Sequence, residues 1–274
     1  MKLWVFGDSY AVHHVHHGWT WIAAVGSSIG ADEIRANAVY GSALPWTYHR
    51  FELARSAISP GDVLLVALTS IDRVWFFPEL PYFSSSLSIG AGDAGKHLSR
   101  PQRQAALAYY QYLDDQDQRV LQLVNWLDML DGFVLSRQVR CMIIPSFPDS
   151  RSLIEASELA IRGGKVAYGS VRDADERFHS SIGRARWPNL GFSTGGDLFS
   201  VYRAECANYD ILPPSADMRR NHLCRDNHEI LAARVTSWVK HGDAVMLDGF
   251  REGLITQRTL AVEDWYDQLL SDID

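Results

Sequence analysis

Two residues far apart in the chain, Ser9 and His222, are of the types that carry out acyl-transfer chemistry together. A serine hydroxyl is a weak nucleophile at its own pKa and needs a base within hydrogen-bond reach, most often an imidazole. Ser9 closes the run Leu3-Trp4-Val5-Phe6-Gly7-Asp8-Ser9. Consecutive apolar residues without alternation read as a strand buried on both faces, as in a parallel sheet covered by helices. Gly7 breaks the run where a tight turn is cheap for the backbone. Asp8 and Ser9 then emerge at the carboxyl end of a central strand, where open α/β sheets place their ligands. His222 lies just before a segment at 227–239 whose apolar spacing predicts the last core helix, with Asp226 and Glu229 spaced as an acidic capping box. His228 competes for the role of base. It falls within that helix's first turn, however, and a base facing the serine needs a loop position.

The elements that must position these residues alternate. A helix is predicted at 19–28, a strand at 32–39, a helix opened by Pro45 and stopped by Ser59-Pro60-Gly61, and a strand at 62–68. Strand, helix, strand, helix, strand is the order that builds a parallel sheet. Residues 74–104 break it with turn chemistry and no period, as a functional or covering insertion does. A helix is predicted from about residue 104, with Val120, Val124, Leu127, Leu130 and Val134 on one stripe, and a fourth strand at 140–145. A helix is expected at 152–162, and residues 163–214 have no readable pattern. The organisation expected is one domain at 1–242 and a C-terminal extension at 243–274.

A first strand ending in Gly7-Asp8-Ser9, with His222 shortly before the final helix, resembles the SGNH/GDSL hydrolases, a family of esterases and lipases, over residues 3–239. The resemblance implies a flavodoxin-like fold, a three-layer α/β/α sandwich with a central parallel sheet. It implies Ser9 as nucleophile, His222 as base and then acid, and an aspartate that fixes the imidazole's tautomer. The family carries that aspartate three residues before the histidine, where this chain has Arg219. Asp217 is the nearest upstream carboxylate. Either Asp217 reaches the imidazole around a bent loop, or Ser9 and His222 form a dyad steered by a backbone carbonyl. For the oxyanion, the resemblance implies the N–H groups of Ser9 and Gly41, with Asp8 among the substrate-binding positions. The family's third donor, an asparagine after the third strand, is missing from Thr69-Ser70-Ile71-Asp72. Thr69 or Ser70 is left to substitute, since losing one donor costs on the order of 100- to 1,000-fold in rate.

The function expected is serine-dependent ester hydrolysis. O-deacetylation of a glycan is favoured because no long apolar lid stretch is present for a fatty acyl chain. The rival from another class is a non-catalytic binding or structural protein that kept the fold. The departures at Ile71 and Arg219 and the apolar residues of the C-terminal extension, which suit a protein partner or self-association, point that way. Asn221-His222-Leu223 also looks like hydrolases of tailed-phage genomes, which adds virion association to the expectations.

Composition narrows the classes further. The 274 residues are 47% hydrophobic and 22% charged, enough for one large core. A net charge of −7 provides no basic footprint for nucleic acid. No apolar run approaches the roughly 20 residues that span a bilayer, and Met1-Lys2 leads straight into a strand without a signal peptide's apolar region, so cytoplasmic synthesis is expected. Cys141, Cys206 and Cys224 form no disulfide or zinc pattern. Cys224 reads as a structural cysteine before it reads as a thiol nucleophile. His13, His14, His16 and His17 read as a loop rimming the site, and neither metal nor cofactor is expected. The aromatic insertion beginning at Trp75 suits sugar or acyl contacts.

Overall fold

The computed structural model describes residues 1–13, 20–71, 73–75, 99–114, 116–151, 186–206 and 222–254. In chain order these form β1 (Lys2–Gly7), a 3-10 turn (Ser9–Ala11), α1 (Trp21–Ser28), β2 (Glu33–Ala38), α2 (Leu44–Ala54) and β3 (Val63–Leu68). There follow α3 (Arg100–Tyr112), α4 (Gln116–Arg137), β4 (Arg140–Pro145), β5 (Leu190–Phe192), α5 (Leu198–Glu205) and α6 (Arg225–His241).

The strands make one parallel sheet in the order β2-β1-β3-β4-β5. This is the flavodoxin-like winding, whose switch point falls between β1 and β3. The apolar runs explain the layers. Along β1, Leu3 and Val5 enter a core with α1 and α6, while Trp4 and Phe6 enter the opposite core with α2 and α4. β3 and β4 alternate the same way, with Leu65 and Met142 on one face and Leu64 and Cys141 on the other. A strand buried on both faces needs no polar positions, hence the unbroken apolar runs.

Gly7 is fixed by a close approach. It pairs with Ala67 of β3 at φ 145°, and a Cβ built there would lie 2.4 Å from the Ala67 carbonyl oxygen. Only glycine fits where the chain turns off β1.

Several boundaries differ from those expected. The helix predicted from 104 begins at Arg100, because Ser99 and Gln102 form a reciprocal capping box and Pro101 occupies the first turn. It ends at Tyr112, before α4 begins at Gln116. The capping box expected from Asp226 and Glu229 does not form. α6 starts at Arg225 with Cys224 as a cap lacking a side-chain bond, Asp226 pairs with Arg251, and Glu229 pairs with Arg225. Within 163–214, β5 and α5 were not legible. β5 is held by partners distant in sequence: Trp187 Nε1 donates to Asp128 at 2.7 Å, and Asn189 N donates to Asp131 at 2.8 Å.

The stretch after Gly242 packs back on the sheet. Thr194 bridges Met246, and Val245 and Leu247 are buried in the core. The helix expected at 152–162, most of the insertion and residues 255–274 lie outside the described residues. Among the described residues, no helix is long and apolar enough to cross a membrane.

Candidate functional site

The carboxyl ends of β1 and β3 meet at the switch point, and the loops leaving the strands are tied there by buried hydrogen bonds. Asp8 caps the 3-10 turn by accepting from Tyr10 N at 3.1 Å, and Ser146 Oγ donates to the same carboxylate oxygen at 3.1 Å. Arg73 Nη1 reaches the other Asp8 oxygen at 3.3 Å while its guanidinium lies 4.5 Å from the Phe147 ring centroid. Burial pushes the Asp8 carboxyl up, and the positive charge of Arg73 opposes that shift. Asp8 is fully buried, and its carboxylate holds the Ser9 turn.

Ser9 itself is 5% exposed, and among the described residues its hydroxyl makes no hydrogen bond. Its N–H and that of Gly41 likewise donate to no described group. Gly41 sits at φ 67° in the turn after β2. That turn is drawn to the end of β1 by Ser42 Oγ, which donates to Gly7 O at 2.8 Å.

The loop after β3 is differently committed. Thr69 Oγ1 donates to Ser42 O at 2.9 Å and accepts from Arg73 Nη1 at 2.8 Å. Ser70 Oγ donates to Asp149 at 2.6 Å, and Ile71 N donates to the same oxygen at 3.0 Å. The hydroxyl protons expected to replace the missing donor are thus directed into the fold. Ile71 is 4% exposed in the α2/α4 core. Replacing it with asparagine buries an unpaired amide, so Ile71→Asn is expected to lower stability by about 1–3 kcal/mol in chemical denaturation, with no gain in turnover.

His222 comes to the same sheet edge from the far end of the chain. Its ring lies 5.1 Å from that of Tyr10, the residue after Ser9, and 5.7 Å from that of Tyr202. Its backbone is left-handed, φ 56°, a conformation that costs a non-glycine residue energy and persists only when the surroundings impose it. Two residues on, Cys224 N donates at 3.0 Å to Glu205, fully buried at the end of α5, which also accepts from Asn227 Nδ2 at 2.6 Å and ties the start of α6 to α5. No bond between Ser9 and His222 is formed here, and such catalytic bonds often tighten only with substrate present.

His228 has another task. It is fully buried, and its Nδ1 accepts from Trp21 N at 3.1 Å, satisfying the first turn of α1. Asp217 and Arg219 lie outside the described residues, as do His14, His16 and His17. His13 contacts Thr20 Oγ1 at 3.2 Å. No group of three metal-ligating side chains occurs among the described residues.

Arg73, Asp149, Ser146 and Glu205 were not singled out from sequence. Only Arg73, four residues after Thr69, stood near a motif.

Beside the switch point a cavity of about 670 Å³ opens between the start of α2, the loop after β3, and helices α3 and α4. Ile71 and Arg73 line it, so it adjoins the Ser9 turn across the Arg73 side chain.

A comparison with solved structures finds similarity to a chain from Desulfitobacterium hafniense DCB-2 named for the G-D-S-L family of lipolytic proteins. It is 11% identical over 86% of this chain and 97% of that one, with a TM-score of 0.36. No protein-family profile and no curated protein matches the chain significantly. The α/β fold stands on its strand order.

Proposed function

We propose that the protein is a serine hydrolase acting on esters, a distant relative of the SGNH/GDSL enzymes. The observation that carries this reading is the condition of Ser9. A serine at a turn ordinarily caps a backbone group. Here Asp8 does the capping, and the Ser9 hydroxyl is left without a fold partner among the described residues. The His222 ring beside Tyr10 supplies a general base at the same sheet edge.

In the proposed reaction, Ser9 Oγ attacks the ester carbonyl while His222 takes its proton. The carbonyl oxygen becomes an oxyanion facing the N–H groups of Ser9 and Gly41, and collapse expels the alcohol with the proton returned from His222. Water then attacks the acyl-enzyme by the same route, releasing the acid. Asp217 or a backbone carbonyl orients the imidazole, and the Ser9 and Gly41 N–H groups are the oxyanion donors.

The test uses His222→Asn, because asparagine tolerates the left-handed backbone that His222 adopts. Wild type should hydrolyse p-nitrophenyl acetate. His222→Asn should keep its melting temperature and lose on the order of 100- to 10,000-fold in kcat. A folded wild type without turnover would favour a second reading, a ligand-binding protein on this fold. The hydrogen bonds that occupy Thr69, Ser70 and the Ile71 N–H support that alternative.

A further inference from the structure

The cavity beside Arg73 is built for a particular kind of ligand. Its volume, about 670 Å³, is that of a small-molecule site. Its lining residues include Tyr48, Trp75, Tyr109 and Trp126, with Gln122 and Asn125 on α4. Trp126 is 5% exposed, and its indole N–H has no hydrogen-bond partner among the described residues.

Three ligand chemistries can be weighed against this lining. An alkyl chain would satisfy the rings but strip water from the amides without replacing its hydrogen bonds. An anion such as a phosphate would need uncompensated positive charge. The two arginines present are ion-paired, Arg73 with Asp8 at 3.3 Å and Arg119 with Asp114 at 2.7 Å. A pyranose meets both demands, since its C–H face packs on aromatic rings and its hydroxyls donate to and accept from side-chain amides.

We infer that this cavity binds the sugar rings of a short, uncharged oligosaccharide. Taken with the ester-hydrolase reading, on which this last step rests, it is the glycan subsite that presents an O-acyl group to Ser9 past Arg73.

Binding is tested separately from catalysis. The inactive Ser9→Ala protein is titrated with cellotriose, xylotriose, tri-N-acetylchitotriose and octanoate, reading tryptophan fluorescence and calorimetric heat. At least one trisaccharide should bind saturably. Trp75→Ala should weaken it by about tenfold or more. Gln122→Leu, on the exposed face of α4 where it cannot unfold the protein, should weaken the sugar several-fold and not octanoate.

Saturation by octanoate alone overturns the inference. So does binding of no probe, or trisaccharide binding unchanged in both variants. Sugar binding that depends on Trp75, in a protein whose wild type turns over no ester, would keep the subsite and remove the hydrolase reading. Ser9-dependent esterase activity with no sugar bound would do the reverse.

Discussion

Ser9→Ala is expected to leave the fold intact and to lower kcat for p-nitrophenyl acetate by about 1,000-fold or more. Both halves follow from the same geometry. The hydroxyl makes no hydrogen bond among the described residues, so its removal leaves no partner unsatisfied. The turn is held by Asp8, Ser146 and Arg73, none of which depends on the Ser9 side chain. Residual activity would come from the oxyanion donors and binding alone. Melting temperatures of wild type and variant should agree within about 1 °C, less than the roughly 2 °C shift from a 1 kcal/mol change in a domain of this size. A large loss of stability would mean that Ser9 is a structural residue after all.

Gly7→Ala should have the opposite profile, a stability defect first. The added methyl group would lie 2.4 Å from the Ala67 carbonyl oxygen and 2.8 Å from the Ala67 Cβ, at a backbone φ of 145° that alanine avoids. Steric overlap and backbone strain each cost about 1–3 kcal/mol, so a combined loss of roughly 3 kcal/mol or more is expected. Relief would require β1 and β3 to part at their carboxyl ends, which displaces Asp8 and Ser9. Ala67→Gly in the same chain should restore only part of the stability, because the closest overlap is with backbone. A Gly7→Ala protein melting within 1 °C of wild type, measured side by side, would contradict the tight β1–β3 junction.

The parts of this architecture legible in the sequence are those specified locally. The doubly buried runs at β1, β3 and β4 have no other use for so many adjacent apolar residues. Proline at the start of α2 and the apolar stripe of α4 likewise act within a few residues of themselves. β5 was illegible because three residues are too few for a period, and its place is set by Asp128 and Asp131 on α4. The capping box at Ser99 and Gln102, which opens the helix four residues before the expected start, was legible in principle.

The site divides the same way. Ser9, Gly41 and His222 were named from motif and position, and they come to neighbouring loops of one sheet edge. The engagement of Thr69 and Ser70 could not be read, since their partners Ser42, Arg73 and Asp149 depend on how four loops close over the strand ends. The same applies to Asp8, whose role as a buried cap emerges only with Arg73 and Ser146 against it. The aromatic cavity draws on α2, α3, α4 and the loop after β3, and no single segment announces it.

The central claim, that Ser9 is an activated nucleophile, is tested most directly by a fluorophosphonate probe with peptide mapping by mass spectrometry. Such a probe phosphonylates an activated serine and leaves ordinary hydroxyls untouched. The account predicts a single adduct on Ser9 of wild type, formed more slowly in His222→Asn and absent from Ser9→Ala. Full labelling of Ser9→Ala at another residue, or no labelling of a folded wild type that still hydrolyses p-nitrophenyl acetate, would contradict it.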